Sequence, residues 1–94
     1  MNTDRWPLRF RIMSTIQLRT AIPGPKSKAL MDRRNTAVAR WPFHATPVFA
    51  AKAEGAVIED VDGNRFIDFA GGIGCLNIGH RDARVLDAIR KQTE

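Results

Sequence analysis

The spacing of apolar residues changes twice along this chain of 94 residues. Over residues 28–39 the apolar positions recur at helical spacing, so the pattern predicts a helix that Ser27 caps. Trp41-Pro42 is expected to end this helix, because a proline disfavours helical backbone in the residue before it. The prolines at 23 and 25 predict an extended segment ahead of it.

From residue 48 to residue 69 the pattern becomes strand-like. Three apolar or alternating segments, at 48–53, 56–61 and 65–69, are separated by Gly55 and by Asp62-Gly63-Asn64. These separators tolerate positive φ and are typical of hairpin turns. The pattern therefore predicts a three-stranded antiparallel meander.

The last segment returns to helical spacing. Asp82 is positioned to cap a helix over residues 84–91. The apolar residues expected to pack inward are Val85, Leu86, Ala88 and Ile89. The predicted fold class is α+β: an N-terminal helix, a small antiparallel three-stranded sheet and a C-terminal helix. Because the sequence ends without a glycine or proline stop signal, we also expect a truncated chain.

Residues 69–80, FAGGIGCLNIGH, place four glycines, the single cysteine and a histidine between the sheet and the last helix. A P-loop is excluded because His80 and Arg81 stand where that loop needs a lysine and a hydroxyl. A dinucleotide fingerprint is excluded because Asn77 replaces its third glycine. Two interpretations remain: a tight strand-to-helix connection, or a backbone segment that approaches a ligand or another subunit.

Other candidate chemistry is less specific. The run from Asp60 to Asn64 alternates oxygen ligands, but its glycine comes too early for a calcium loop and Gly71 stands where a glutamate is needed, so it favours a turn. Cys75 is expected to be a small buried hydrophobe. His80 is expected to hydrogen-bond the loop or the helix entry, and the two histidines lack zinc-site spacing, so no metal site is predicted.

The charge is uneven. Residues 1–40 hold nine Lys/Arg against two acids (+7) and residues 41–94 hold six against eight (−2), which gives the net +5. A basic half can indicate nucleic acid, an anionic membrane or a targeting peptide. Scattered aromatics and the absence of tyrosine argue against nucleic-acid binding. No apolar run approaches the roughly 18 residues of a membrane span, so no membrane partner is predicted.

Residues 1–26 are interpreted as a flexible basic arm. Within it, residues 1–12 are either an upstream extension before Met13 or a segment that weakly resembles an organelle-transit peptide. A single cysteine excludes an intramolecular disulfide and favours a reducing compartment, so a cytoplasmic location is expected.

Several ordered motifs together resemble a known family, the class III pyridoxal-phosphate-dependent aminotransferases, most closely their 4-aminobutyrate branch. The motifs are IPGPKS at 22–27, RR at 33–34 with AV at 37–38, ATPVF at 45–49, DVDGNRFIDFAGGIG at 60–74 and LNIGH at 76–80. The resemblance implies a fold-type I enzyme that works as a homodimer with pyridoxal phosphate at the subunit interface. Residues 27–94 correspond to its N-terminal segment, ahead of the cofactor domain.

The resemblance also implies roles for residues of the glycine-rich stretch. Ile73, flanked by Gly72 and Gly74, would line the substrate side of the cofactor pocket. Asn77, Gly79 and His80 would lie near the dimer interface. No lysine of this chain stands in the context of the family's Schiff-base lysine, so no catalytic residue is assigned, and the chain alone is expected to be inactive and to bind no cofactor.

The resemblance thus implies an N-terminal fragment of an enzyme that transfers the amino group of an ω-amino acid, such as 4-aminobutyrate, to a 2-oxo acid. Two alternatives stay open. One is a stand-alone interaction module that uses its basic arm. The other is a non-functional remnant, since a lone meander with two helices has little to pack against.

Overall fold

The computed structural model describes residues 15–39 and 44–94. The elements, in chain order, are α1 (Pro25–Ala37), β1 (Ala50–Glu54), β2 (Val57–Asp60), β3 (Arg65–Ile67), the single turn α2 (Gly71–Gly74) and α3 (Ala83–Thr93). The expectations for residues 1–12 and for Trp41-Pro42 lie outside the described residues. Within the described chain, no helix is long and apolar enough to cross a membrane.

The predicted meander is confirmed. The three strands lie in the order β1-β2-β3, and both neighbouring pairs are antiparallel. Ile58 pairs with Phe66 across β2 and β3. The turn between these strands places Gly63 at φ 83°, a backbone angle that glycine adopts without steric cost.

The segment ahead of α1 is bonded to the sheet. The Gln17 N–H donates to the Arg65 carbonyl at 3.1 Å, and the Arg65 N–H donates back to the Gln17 carbonyl at 2.7 Å. This reciprocal pair adds a one-residue antiparallel bridge to β3. The described part of the predicted arm therefore has a defined place on the outer edge of the sheet.

The predicted start of α1 is wrong. The helix begins at Pro25 with Gly24 as its N-cap, whereas the sequence predicted Ser27 as the cap. Proline suits the first helical position because its missing N–H needs no partner there. The Asp62 carboxylate, from the β2–β3 turn, accepts the N–H groups of Lys26 at 2.7 Å and Ser27 at 2.8 Å. A distant side chain therefore caps this helix.

Asn64 is fully buried at the centre of a polar cluster in the same turn. Its Oδ1 accepts the N–H groups of Arg19 at 2.6 Å and Thr20 at 2.9 Å. Its Nδ2 donates to Thr20 Oγ1 at 2.8 Å and to Asp60 Oδ2 at 3.0 Å. Asp60 Oδ1 in turn accepts the Asn64 N–H at 2.8 Å. The predicted turn is confirmed, and the Asp60 carboxylate is occupied by the turn's own donors.

The predicted cap of α3 is confirmed, since the Asp82 side chain accepts the Arg84 N–H at 3.0 Å. The hydrogen bond from the Arg84 side chain, followed by that backbone bond, lowers the pKa of Asp82. The predicted inward packing of α3 is wrong for the described chain. Leu86 is half-buried, whereas Val85, Ala88 and Ile89 are exposed, because no other described segment covers that face.

The most buried side chains of the described residues are polar: Ser27, Asp60 and Asn64. No apolar side chain among these residues is fully buried. Because burial of apolar surface is the main driving force of folding, hydrogen bonds around the turn carry an unusual share of the described tertiary structure.

Candidate functional site

The glycine-rich stretch forms a turn of left-handed backbone. Gly71, Gly72, Ile73 and Gly74 have φ angles of 52°, 63°, 60° and 77°. The Gly74 N–H donates to the Ala70 carbonyl at 3.0 Å, which closes the turn. Glycine adopts such angles readily, but a positive φ is a genuine outlier for a β-branched residue. Ile73 is therefore the strained member of the turn, and its neighbouring glycines permit the conformation.

The turn presents two large apolar side chains to solvent. Ile73 is 90% exposed and Phe69 is 92% exposed. We call residues 69–79 the glycine loop. Large apolar groups that are held almost fully exposed commonly mark a surface that contacts a ligand or another part of a protein.

Asp68 and His80 flank the glycine loop and contact each other. We call this pair, where the two ends of the loop meet, the neck of the loop. His80 Nε2 lies 2.7 Å from Asp68 Oδ2. The other oxygen of Asp68 accepts the N–H groups of Ala70 at 3.1 Å and Gly71 at 2.9 Å. The His80 hydrogen bond, and next the Gly71 N–H, hold the pKa of Asp68 below its usual value. The sequence predicted that His80 hydrogen-bonds the loop or the helix entry; its side-chain partner is instead Asp68, the residue just before the loop.

The neck is also fixed to the sheet through the link between β1 and β2. The Asp68 N–H donates to the Ala56 carbonyl at 2.8 Å. The His80 N–H donates to the Gly55 carbonyl at 2.8 Å, and the Gly55 N–H donates back to the His80 carbonyl at 3.0 Å. Both ends of the loop are thus bound to adjacent residues of one turn.

The prediction that Cys75 is buried is wrong. Cys75 is exposed, and its Sγ lies 3.9 Å from the Ile73 carbonyl oxygen. The left-handed turn extends away from the sheet, so its side chains project to solvent and not into a core.

The predicted interface residues occupy the second half of the loop. Asn77 is exposed, whereas Gly79 and His80 are half-buried against the sheet. Gly79 has φ 86°, and a Cβ there would lie 2.8 Å from the Gly55 carbonyl oxygen. Position 79 therefore requires glycine, because any side chain there would overlap the backbone of Gly55. The structure brings His80 together with Gly79 at the neck and leaves Asn77 at the surface.

Several backbone N–H groups of the glycine loop are already occupied, which limits what the described residues could offer the phosphate of pyridoxal phosphate. A phosphate cradle needs free backbone N–H groups, but those of Ala70, Gly71, Gly74, Cys75 and Leu76 all donate within the loop or to Asp68. Among the lysines, Lys91 lies 2.8 Å from Asp87 and Lys52 lies 3.3 Å from Glu59, both on the exposed surface. No chemical step through the cofactor follows from these residues.

Ile73 lines none of three clefts in the described residues, two of which adjoin the sheet and α3. One, of about 300 Å³, opens on the sheet and is lined by charges of both signs, including Glu59 and Arg65. The other, of about 620 Å³, follows the apolar face of α3 beside Ile78. The tip of the glycine loop is consequently an open surface and not the wall of either cleft.

The sequence reasoning missed Asp68. A usable signal was present, because an aspartate two or three residues before the start of a turn commonly accepts the N–H groups that follow it. Its pairing with His80, twelve residues later, joins side chains that no local pattern connects.

Comparison with known proteins identifies the family. The family model described as "Aminotransferase class-III" matches residues 38–94. The chain belongs to the class III aminotransferases. The predicted resemblance is therefore confirmed, and a stand-alone interaction module is not favoured.

Curated relatives of the chain in this family carry related activities in their names. The 4-aminobutyrate aminotransferase of Mycobacterium leprae is 53% identical over 76 residues, which cover 81% of this chain and 17% of that protein. The 5-aminovalerate aminotransferase of Pseudomonas aeruginosa is 42% identical over 66 residues, which cover 70% of this chain and 16% of that protein. The chain thus spans about a sixth of the length of these class III relatives.

The fold agrees with the family assignment. The structure of Plasmodium falciparum ornithine delta-aminotransferase matches 71% of this chain and 17% of its own chain, with a TM-score of 0.66 and 25% identity. About 71% of this class III chain therefore has a counterpart in the fold of a solved aminotransferase.

Proposed function

We propose that the chain is the N-terminal part of a fold-type I aminotransferase that transfers the amino group of an ω-amino acid to a 2-oxo acid. The proposed amino donor is 4-aminobutyrate or its longer homologue 5-aminovalerate. Class III aminotransferases depend on pyridoxal phosphate, which supplies the electron sink for this chemistry.

The observation that carries the proposal is the 53% identity to a 4-aminobutyrate aminotransferase over 81% of the chain. A second relative is named for 5-aminovalerate, whose carbon chain is one methylene longer. Both named substrates are unbranched ω-amino acids, so the proposal specifies this substrate class and leaves chain length open.

Within that function, Ile73 is the proposed substrate-lining residue, with Gly72 and Gly74 as the residues that permit its conformation. Its side chain is 90% exposed and apolar, which suits contact with the methylene chain of an ω-amino acid. The left-handed turn presents the side chain outward at a position that ordinary helical or extended backbone would not give.

The proposed complete enzyme is a cytoplasmic homodimer whose subunits meet near the second half of the glycine loop. Asn77 is exposed there and is available for contact. Gly79 and His80 would contribute by holding the loop, since their described contacts are within the chain.

A chimera tests the function. In the M. leprae 4-aminobutyrate aminotransferase, the 76 aligned residues are replaced by those of this chain. We expect amino transfer to a 2-oxo acid such as 2-oxoglutarate from 4-aminobutyrate, from 5-aminovalerate or from both. A chimera that is folded and binds pyridoxal phosphate, but transfers no amino group from either donor, would contradict the proposal.

Ile73→Ala in the chimera tests the substrate-lining role, with Ile78→Ala as the control in the same loop. Removal of contact with a methylene is expected to lower kcat/KM for 4-aminobutyrate about tenfold, mainly through KM. Equal effects of the two substitutions would contradict a specific role for Ile73.

The 94-residue chain alone is expected to be inactive. After incubation with pyridoxal phosphate, borohydride reduction and gel filtration, we expect no stoichiometric label at a single lysine by near-ultraviolet absorbance or by mass, only partial labelling spread over exposed lysines. Stoichiometric labelling of one lysine would overturn this part of the proposal.

A further inference from the structure

Two sets of hydrogen bonds, one between backbone groups and one between side chains, hold the neck of the glycine loop together. Backbone hydrogen bonds fix Asp68 to Ala56 and His80 to Gly55, and the side chains of Asp68 and His80 then meet at 2.7 Å. Compact loops whose ends lie close together are frequently functional elements on a rigid support. The support here is the link between β1 and β2.

The Asp68 carboxylate also reaches into the loop. Its Oδ1 accepts the N–H groups of Ala70 and Gly71, at the start of the left-handed turn. One carboxylate therefore joins the neck to the turn that carries Ile73. Its side chain is only 9% exposed and that of His80 is 22% exposed, so water competes little for the bond between these two side chains.

We propose that Asp68 and His80 are positioning residues of the aminotransferase, which hold the Ile73 side chain at a fixed place for the ω-amino acid. This inference rests on the proposed function. Neither residue contacts substrate in it. They act through the backbone of the glycine loop, by fixing where the turn begins and where the loop returns to the sheet.

The strain at Ile73 explains why such a support is needed. A β-branched residue at positive φ relaxes to an ordinary conformation unless its surroundings prevent it. The hydrogen bonds inside the turn, from Gly74 N–H to Ala70 and from Cys75 N–H to Gly71, involve the same two residues that Asp68 bonds. Loss of the carboxylate therefore releases the first turn residues and allows Ile73 to leave its positive φ.

The first test uses the full chain and measures the loop directly. In Asp68→Ala and His80→Ala, we expect amide exchange at Gly74 and Cys75 to rise about tenfold and the HN–Hα coupling of Ile73 to change, while exchange at Asp60 and Asn64 stays the same. His80→Gln retains a side-chain donor and is expected to restore most of the protection. Asp87→Ala, which breaks the exposed pair with Lys91, is the matched control.

Two results of this test would overturn the inference. One is unchanged exchange and coupling in the loop when the carboxylate is removed. The other is an equal rise at Gly74 and at Asn64, which would show that Asp68 supports the whole sheet and not the loop in particular.

The second test uses the chimera described above and asks for an effect on specificity. We expect His80→Ala to change the ratio of kcat/KM for 4-aminobutyrate and 5-aminovalerate at least about threefold, with pyridoxal phosphate still bound and His80→Gln close to the parent. If the unsubstituted chimera is active and His80→Ala leaves its ratio of kcat/KM values unchanged, the positioning role is contradicted and the proposed function is not. An inactive parent contradicts the proposed function, and the loop measurements in the full chain then decide whether the pair holds Ile73.

Discussion

The carboxylate of Asp62 accepts the backbone N–H of Ser27 at 2.8 Å, across 35 positions of sequence. Together with its bond from Lys26, this contact supplies acceptors for two N–H groups at the start of α1 that the helix itself leaves unpaired. Partial burial of Asp62 opposes its ionisation, but these two backbone bonds, together with the Ser27 side chain and the charge of Lys26, outweigh it and lower the pKa of Asp62. The hairpin turn therefore fixes the beginning of the helix.

Removal of that carboxylate is expected to fray α1. In Asp62→Ala, amide exchange at Lys26 and Ser27 should rise about fivefold, because both groups lose their acceptor. Exchange measured residue by residue checks this, with the amides of β2 as internal reference.

Asp62→Asn is the intermediate variant, because it keeps one of the two accepting oxygens and carries no charge. It is expected to preserve the protection of one of the two helix amides and to lose that of the other. If Asp62→Ala leaves both helix amides as protected as in the parent chain, the turn does not cap α1.

This contact also shows where sequence reasoning reached its limit. The meander and the Asp82 cap were predictable, because alternation, turn glycines and a capping aspartate act within a few residues. The start of α1 was not predictable from its own sequence, because Ser27 is a good local cap and the actual acceptor comes from the hairpin. The glycine-rich stretch was located correctly, but the positive φ of Ile73 and the Asp68–His80 pair depend on tertiary contacts.

Asn64→Ala is expected to detach the segment ahead of α1. Truncation removes the acceptor of the partly buried Arg19 and Thr20 N–H groups, and loss of a hydrogen bond costs about 1 kcal/mol each. Trypsin cleavage after Arg19 should accelerate at least about tenfold, as gel electrophoresis and mass spectrometry would record.

Asn35→Ala provides the comparison, because Asn35 is exposed on α1. It should leave cleavage after Arg19 unchanged. If Asn64→Ala and Asn35→Ala change the rate of cleavage after Arg19 equally, the buried cluster around Asn64 does not hold the segment ahead of α1.

Gly79→Ala and Gly74→Ala separate backbone strain from steric overlap. Both glycines have positive φ, which costs an alanine about 1–2 kcal/mol. A Cβ at Gly79 would also meet the Gly55 carbonyl oxygen at 2.8 Å, whereas a Cβ at Gly74 has nothing within 4 Å. Gly79→Ala should therefore destabilise the chain more, and should specifically expose the Gly55 and His80 amides to exchange. If urea titrations show the same loss in free energy of unfolding for both variants, backbone strain alone accounts for the destabilisation and steric overlap adds nothing.

Acid is expected to open the neck of the glycine loop. The pKa of Asp68 is lowered, first by the His80 hydrogen bond and then by the Gly71 N–H, so the carboxylate stays ionised further into acid in the folded chain than in the unfolded chain. Its contribution to stability is therefore complete above the unfolded pKa of about 3.9 and is lost as pH falls through the lower folded value.

Carbon-detected NMR of the Asp68 carboxyl should show this lowered titration midpoint, and the chemical shift of the Gly71 amide should change over the same pH range. In His80→Gln the Asp68 midpoint should rise towards the ordinary value, because the hydrogen bond that lowers it most is changed. A midpoint for Asp68 at or above that of an unfolded peptide, or one that His80→Gln does not move, would mean that the pair does not hold the neck.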